Sequence, residues 1–142
     1  MAWLLPGGCP AFIAIALLMP NLESSPQRNR QKRTMADFRT IASELETYRR
    51  EHRDYPAAST DGTLRRLSRA WLPAFPYEDP WGNKLRYERL PGGGYAISSA
   101  QKDGKFEQPS PSAYAEGVTR YFDCDIVFVD GSFVRSPENL PR

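Results

Sequence analysis

Between Gln27 and Arg53 the apolar positions fall three and four apart: Met35, Phe38, Ile41, Leu45 and Tyr48, with Ala42 on the same side. That spacing is the stripe of an amphipathic helix with one face on a core. Arg39, Glu46, Arg49, Arg50 and Arg53 take the other faces as a solvated surface, and Glu46 stands four residues before Arg50, the favourable order for a helical ion pair. Ser24, Ser25 and Pro26 read as a helix start, while Pro56 biases its predecessor away from helical geometry. The predicted helix runs from about 26 to 54.

Beyond it the pattern breaks into short signals that predict a head over about 57–136. Leu64, Leu67 and Trp71 are spaced for a short helix over Leu64 to Trp71, followed by Pro73, Pro76 and Pro80. Lys84 to Arg89 alternates Leu85 and Tyr87 against charged residues, and Tyr95 to Ser99 puts Tyr95 and Ile97 on one side; Leu90 to Gly94 is the turn of this hairpin. Gln101 to Thr119 is polar, with Asp103-Gly104, Pro109 and Pro111, and predicts an extended loop. Asp125 to Val129 and Ser132 to Arg135 flank Asp130-Gly131, which suits a two-residue turn with positive φ at both positions. The tail from Ser136 to Arg142 is expected to be mobile. The fold class is α+β, a long N-terminal helix packed on a small antiparallel sheet.

Residues 1–22 form a separate apolar segment. Met1 to Met19 holds no charged side chain and ends in an unbroken apolar run from Ala11 to Met19. A spanning helix needs about 20 predominantly apolar residues, and Pro6, Gly7, Gly8 and Pro10 interrupt the first half. The segment therefore reads as membrane-associated but incomplete as a span. A signal peptide would carry a preceding positive charge and a small-x-small cleavage site, and neither is present; Pro6 also intrudes on a lipoprotein reading of Leu5 to Cys9.

Composition narrows the chemistry. At 142 residues the chain suits one domain, 1–22 aside, and 19 Lys plus Arg against 17 Asp plus Glu leave a charge of +2, too small to demand a polyanionic partner. Cys9 and Cys124 lie far apart in sequence, which argues against a structural disulfide, and a single histidine with no C-x-x-C pair gives no zinc, haem or iron-sulfur spacing. His52 has no Ser or Cys partner in context, Glu44 with Glu46 and Glu78 with Asp79 read as solvated acids, and Gly92-Gly93-Gly94 lacks the Lys and Ser or Thr of a phosphate loop. The chain is not expected to be an enzyme.

Three stretches carry a resemblance. Arg39-Thr40-Ile41-Ala42-Ser43-Glu44-Leu45-Glu46-Thr47-Tyr48, running on to Tyr55-Pro56, resembles the end of the long helix in the major pseudopilins of type II secretion systems, a type IV pilin-like family. Asp79-Pro80-Trp81-Gly82-Asn83, followed by Tyr87, is similar to that family's head motif; Pro80 suits the second position of a turn, Gly82 relieves crowding and Trp81 offers a large buried side chain. Asp103-Gly104-Lys105 with Asp123-Cys124-Asp125-Ile126 resembles the aspartate-glycine loop and Asp-x-Asp-Ile stretch of calcium-binding members.

The resemblance implies a pilin-like domain over 23–142 and a filament-core role for 1–22. It implies a subunit that self-associates and joins other pseudopilins in a filament, an inner-membrane assembly platform as a partner, and a head in the periplasm. It also implies calcium held by Asp103, Asp123 and Asp125, the alternative being that Asp103 merely starts a turn with Gly104 while the other two are solvated. Between Met1 and Glu23 the family's leader, a glycine followed by Phe or Met and a nearby Glu, is not matched, so further residues are expected from upstream coding sequence, the alternative being a divergent member of the family. The rival from another class is a DNA-uptake or adhesion minor pilin that binds nucleic acid through Arg28, Arg30, Lys32 and Arg33. No aromatic stacking platform adjoins that cluster, so acidic lipid or a neighbouring subunit is the more economical contact. The same cluster opposes the implied orientation, since basic residues tend to stay cytoplasmic.

Overall fold

The computed structural model describes residues 24–63, 76–119 and 121–137. Helix α1 spans Ser24–His52, 29 residues and about 43 Å of axis. Arg53 turns left-handed at φ 67° and its amide donates to the Arg49 carbonyl at 2.7 Å, closing the helix just before Tyr55-Pro56. Met35, Phe38, Ile41 and Leu45 of the predicted stripe are buried. Tyr48 departs from that stripe: it is half-buried and stacks on His52 at 4.0 Å near the end of the helix. Glu46 pairs with Arg49 at 3.8 Å rather than Arg50, whose Nε donates to the Glu46 carbonyl at 3.4 Å.

Five strands follow: β1 Arg86–Arg89, β2 Tyr95–Ser99, β3 Gly117–Thr119, β4 Ile126–Val129 and β5 Ser132–Pro137. They form one sheet in the order β1-β2-β4-β5-β3, antiparallel except for β3 and β5. The two predicted hairpins are present, β1 with β2 and β4 with β5, and Asp130 and Gly131 take φ 48° and 89° in the second turn.

Two expectations are corrected here. The stretch Gln101 to Thr119 is not a plain loop: it carries 3-10 turns at Gln101–Asp103 and Pro111–Ala113 and ends in β3. Three residues are too few to show a period, and the strand exists because β5 offers a partner. Ser136 and Pro137, assigned to the tail, lie in β5 opposite Val118 and Thr119. The short helix expected over Leu64 to Trp71 and the segment 1–22 lie outside the described residues.

One face of the sheet meets α1. Leu85, Tyr87, Tyr95, Ile97, Ile126 and Phe128 enclose the helix stripe together with Tyr55, and Phe38 meets the Phe128 ring edge-on at 6.2 Å. Tyr87 passes under the chain beyond the helix, its hydroxyl donating to the Pro56 carbonyl at 2.7 Å. All five residues of β2 are buried, so its second face is covered as well. The cover is the 101–119 stretch: the Arg86 guanidinium lies 4.0 Å from the Phe106 ring centroid and donates to the Gln108 carbonyl at 2.8 Å.

Cys124, buried just ahead of β4, is disulfide-bonded, which corrects the expectation of no structural disulfide. Its bonding partner lies outside the described residues. Separation along the chain does not bound separation in the fold.

Candidate functional site

The motif Asp79 to Asn83 is a closed turn. Asp79 is buried, and its Oδ1 accepts the amides of Trp81 at 3.1 Å and Asn83 at 2.9 Å, so the carboxylate supplies the bonds the chain cannot make to itself. Gly82 takes φ 85°, the left-handed geometry that favours glycine. Trp81 is half-buried rather than enclosed, and its Nε1 donates to Gln27 Oε1 at 2.7 Å, tying the turn to the start of α1.

The three aspartates expected to share an ion occupy different environments. Asp103 ends the first 3-10 turn, is exposed, and accepts the Lys105 amide at 3.0 Å in a local turn with Gly104. Asp123 is exposed. Asp125 is fully buried at the entry to β4; its Oδ2 accepts the Glu107 amide at 2.9 Å and the Tyr114 hydroxyl, while Oδ1 has no hydrogen-bond partner. Burial pushes the Asp125 carboxyl up to about 6, and the charges of Glu107 and Asp103 add to the rise against the lowering effect of its hydrogen bonds. Tyr114 is raised in turn by burial and by Asp125. Among the described residues no three His, Cys, Asp or Glu side chains gather in a metal-holding group.

Sequence reasoning missed the groups that surround Asp125. Arg135 on β5 donates to Glu107 Oε2 at 3.0 Å and lies over the Tyr114 ring at 5.6 Å. Glu107 and Tyr114 sit in a stretch without periodicity, so nothing in their spacing marks them; Arg135 could have been noticed, because an arginine falls on the Val127 side of the predicted hairpin. Arg86 completes the set, reaching Ser98 Oγ at 3.3 Å and the Tyr114 hydroxyl at 3.4 Å.

The basic cluster is displayed rather than packed: Arg28, Arg30, Lys32 and Arg33 are all exposed on the first turns of α1, whose buried positions there are Gln31, Thr34 and Met35. Among the described residues no helix is long and apolar enough to cross a membrane.

Comparison with known proteins returns no match among curated proteins or solved structures. The family model described as type II secretion system (T2SS), protein G, does match, over residues 21–113, which takes in α1, the Asp79 to Asn83 turn, the first hairpin and Asp103 but stops short of Asp123 and Asp125. With helix, head motif and hairpin inside a match that spans more than half of its length, this chain belongs to the type II secretion system protein G family, the major pseudopilins.

Proposed function

We propose that this pseudopilin is a structural, non-catalytic subunit of a type II secretion pseudopilus that assembles through its N-terminal helix to support protein export. The observation that carries the reading is the one-sidedness of α1. Met35, Phe38, Ile41 and Leu45 fix the helix to its own head, while the exposed Arg28, Arg30, Lys32 and Arg33 leave its first turns open to neighbours. Apolar segments such as 1–22 would pack side by side in the filament core with heads outside. An inner-membrane assembly platform adds subunits, and the growing filament pushes cargo outward from a periplasmic base. Co-expression of the full chain, in its native N-terminal form, with a secretion assembly system and its prepilin peptidase tests this. Filaments are expected; persistent monomers would overturn it.

The second reading, nucleic-acid binding through residues 28–33, is favoured by the exposure of all four basic side chains. Binding of that kind weakens steeply with salt, and a titration of a DNA duplex at rising ionic strength distinguishes it.

Calcium is the cofactor the resemblance brings. Asp125 suits it, since a buried carboxylate with an orphaned Oδ1 gains from an adjacent cation. Asp103 lies near enough for its charge to act on Asp125. Backbone carbonyls would complete the shell, Asp123 being the weakest candidate because it is exposed.

A further inference from the structure

Gln101 is an anomaly. It is fully buried yet holds φ 54°, a left-handed conformation that costs a side-chain-bearing residue free energy, and it stands where β2 hands the chain to the 3-10 turn bearing Asp103. Such a conformation persists only when its surroundings over-determine it. The surroundings here are the family turn. Asn83 Nδ2 donates to the Gln101 carbonyl at 2.7 Å, and Ser99 Oγ accepts the Gln101 amide at 3.2 Å while donating to Asp79 Oδ2 at 2.8 Å. Both backbone polar groups of Gln101 are thus gripped, one by Asn83 directly and one by Asp79 through Ser99.

A second contact fixes the far side of the turn. Gly104 closes it at φ 67°, and a Cβ added there would stand 3.0 Å from Asn83 Oδ1, so backbone and amide group are packed together as closely as glycine permits. Asn83 therefore touches the residues on both sides of Lys102 and Asp103.

We infer that Asp79 and Asn83 are positioning residues for the Asp103 turn, holding Gln101 in the left-handed conformation from which the 101–119 stretch departs across the sheet. The head motif does more than reverse the chain at residues 79–83: it sets the place of a second turn 18 residues on, through hydrogen bonds that belong to neither turn's own backbone. This goes beyond the filament reading and holds whether or not the turn takes a cation.

Amide hydrogen exchange on the full chain in detergent, with chelator present, tests it. In Asn83→Ala and in Ser99→Ala, the amides of Lys102, Gly104 and Lys105 are expected to exchange about tenfold faster, as one hydrogen bond's worth of local opening requires. The amides of Val127 and Val129 in β4 should keep their rates. Unchanged rates at 102–105, or equal acceleration in β4, would overturn the inference, because the first means the turn holds itself and the second means the side chains serve the whole fold. Should Asn83→Ala fail to fold, Ser99→Ala carries the same comparison with the same two overturning results.

Discussion

Arg135 Nη1 lies 3.0 Å from Glu107 Oε2, with the two side chains only 6% and 22% exposed. The pair joins β5 to the middle of the 101–119 stretch, close to the buried carboxylate of Asp125. Arg135 is buried while Glu107 keeps access to solvent, so a substitution of the arginine chiefly removes a charged hydrogen bond. Arg135→Ala is expected to cost about 1.5–3 kcal/mol of unfolding free energy. Arg135→Lys should restore only part, since a lysine does not reproduce the guanidinium plane over Tyr114. Chemical denaturation of the three chains side by side checks the order.

The raised carboxyl of Asp125 sets a pH dependence of defined sign. An acid whose pKa is higher folded than unfolded binds its proton more tightly in the native state, so its contribution is fully present below the unfolded value of 3.8 and is lost as pH rises through about 6. In chelator, the stability of the natural chain relative to Asp125→Asn should therefore fall between pH 4 and pH 7. The asparagine keeps an acceptor for Tyr114 and for the Glu107 amide while removing the titration. A difference that stays flat, or rises with pH, would mean the carboxyl is not raised.

Calcium works against that trend, because a bound cation favours the ionised form. If the site is as proposed, calcium at neutral pH raises the melting temperature with the logarithm of its concentration, by the equivalent of about 2.7 kcal/mol at a hundred times the dissociation constant. Asp125→Asn and Asp103→Ala should each weaken the response. No shift at millimolar calcium in the natural chain would remove the cofactor from the account.

The contrast between Phe38 and Tyr48 shows what the sequence could and could not say. Both lie on the same stripe at helical spacing, and Phe38 is indeed fully buried among Phe128 and Phe133. Tyr48 is only half-buried and stacks on His52 instead of joining the core, which helical periodicity cannot register. Phe38→Ala is expected to cost about 3–5 kcal/mol, and Tyr48→Ala less than about 1 kcal/mol. Equal losses in thermal or denaturant unfolding would contradict the packing described.

The same limit explains the rest of the comparison. Hairpins declared themselves through Asp130-Gly131 and the alternation of Leu85 and Tyr87, because turn chemistry and period two are local properties. Strand β3 depends on β5, Arg135 on Glu107, and the conformation of Gln101 on Asn83. Each of these is a partnership between residues far apart in sequence, and only the place of Arg135 in the predicted hairpin leaves a local mark. The Asp103, Asp123 and Asp125 set was suggested by resemblance alone, and only Asp125 is interior, because it enters β4 on the face covered by the 101–119 stretch.

Gly94 carries the last expectation. It is buried at the start of β2, and a Cβ placed on it would stand 2.3 Å from Asp130 Oδ1, closer than any real contact. That same oxygen accepts the Tyr95 amide at 2.8 Å, linking the two hairpins at one end of the sheet, and the Asp130 amide donates back to the Tyr95 carbonyl at 3.1 Å. In Gly94→Ala the carboxylate must swing away, leaving the Tyr95 amide to find water. The backbone pairing between Asp130 and Tyr95 survives, so the loss should be that of one charged hydrogen bond, about 1.5–3 kcal/mol. Asp130→Ala removes the same bond without the clash, and adding Gly94→Ala to it should then cost much less than Gly94→Ala alone. A double-mutant cycle by denaturant unfolding measures this directly: additive losses would mean that Gly94 and Asp130 do not meet as described.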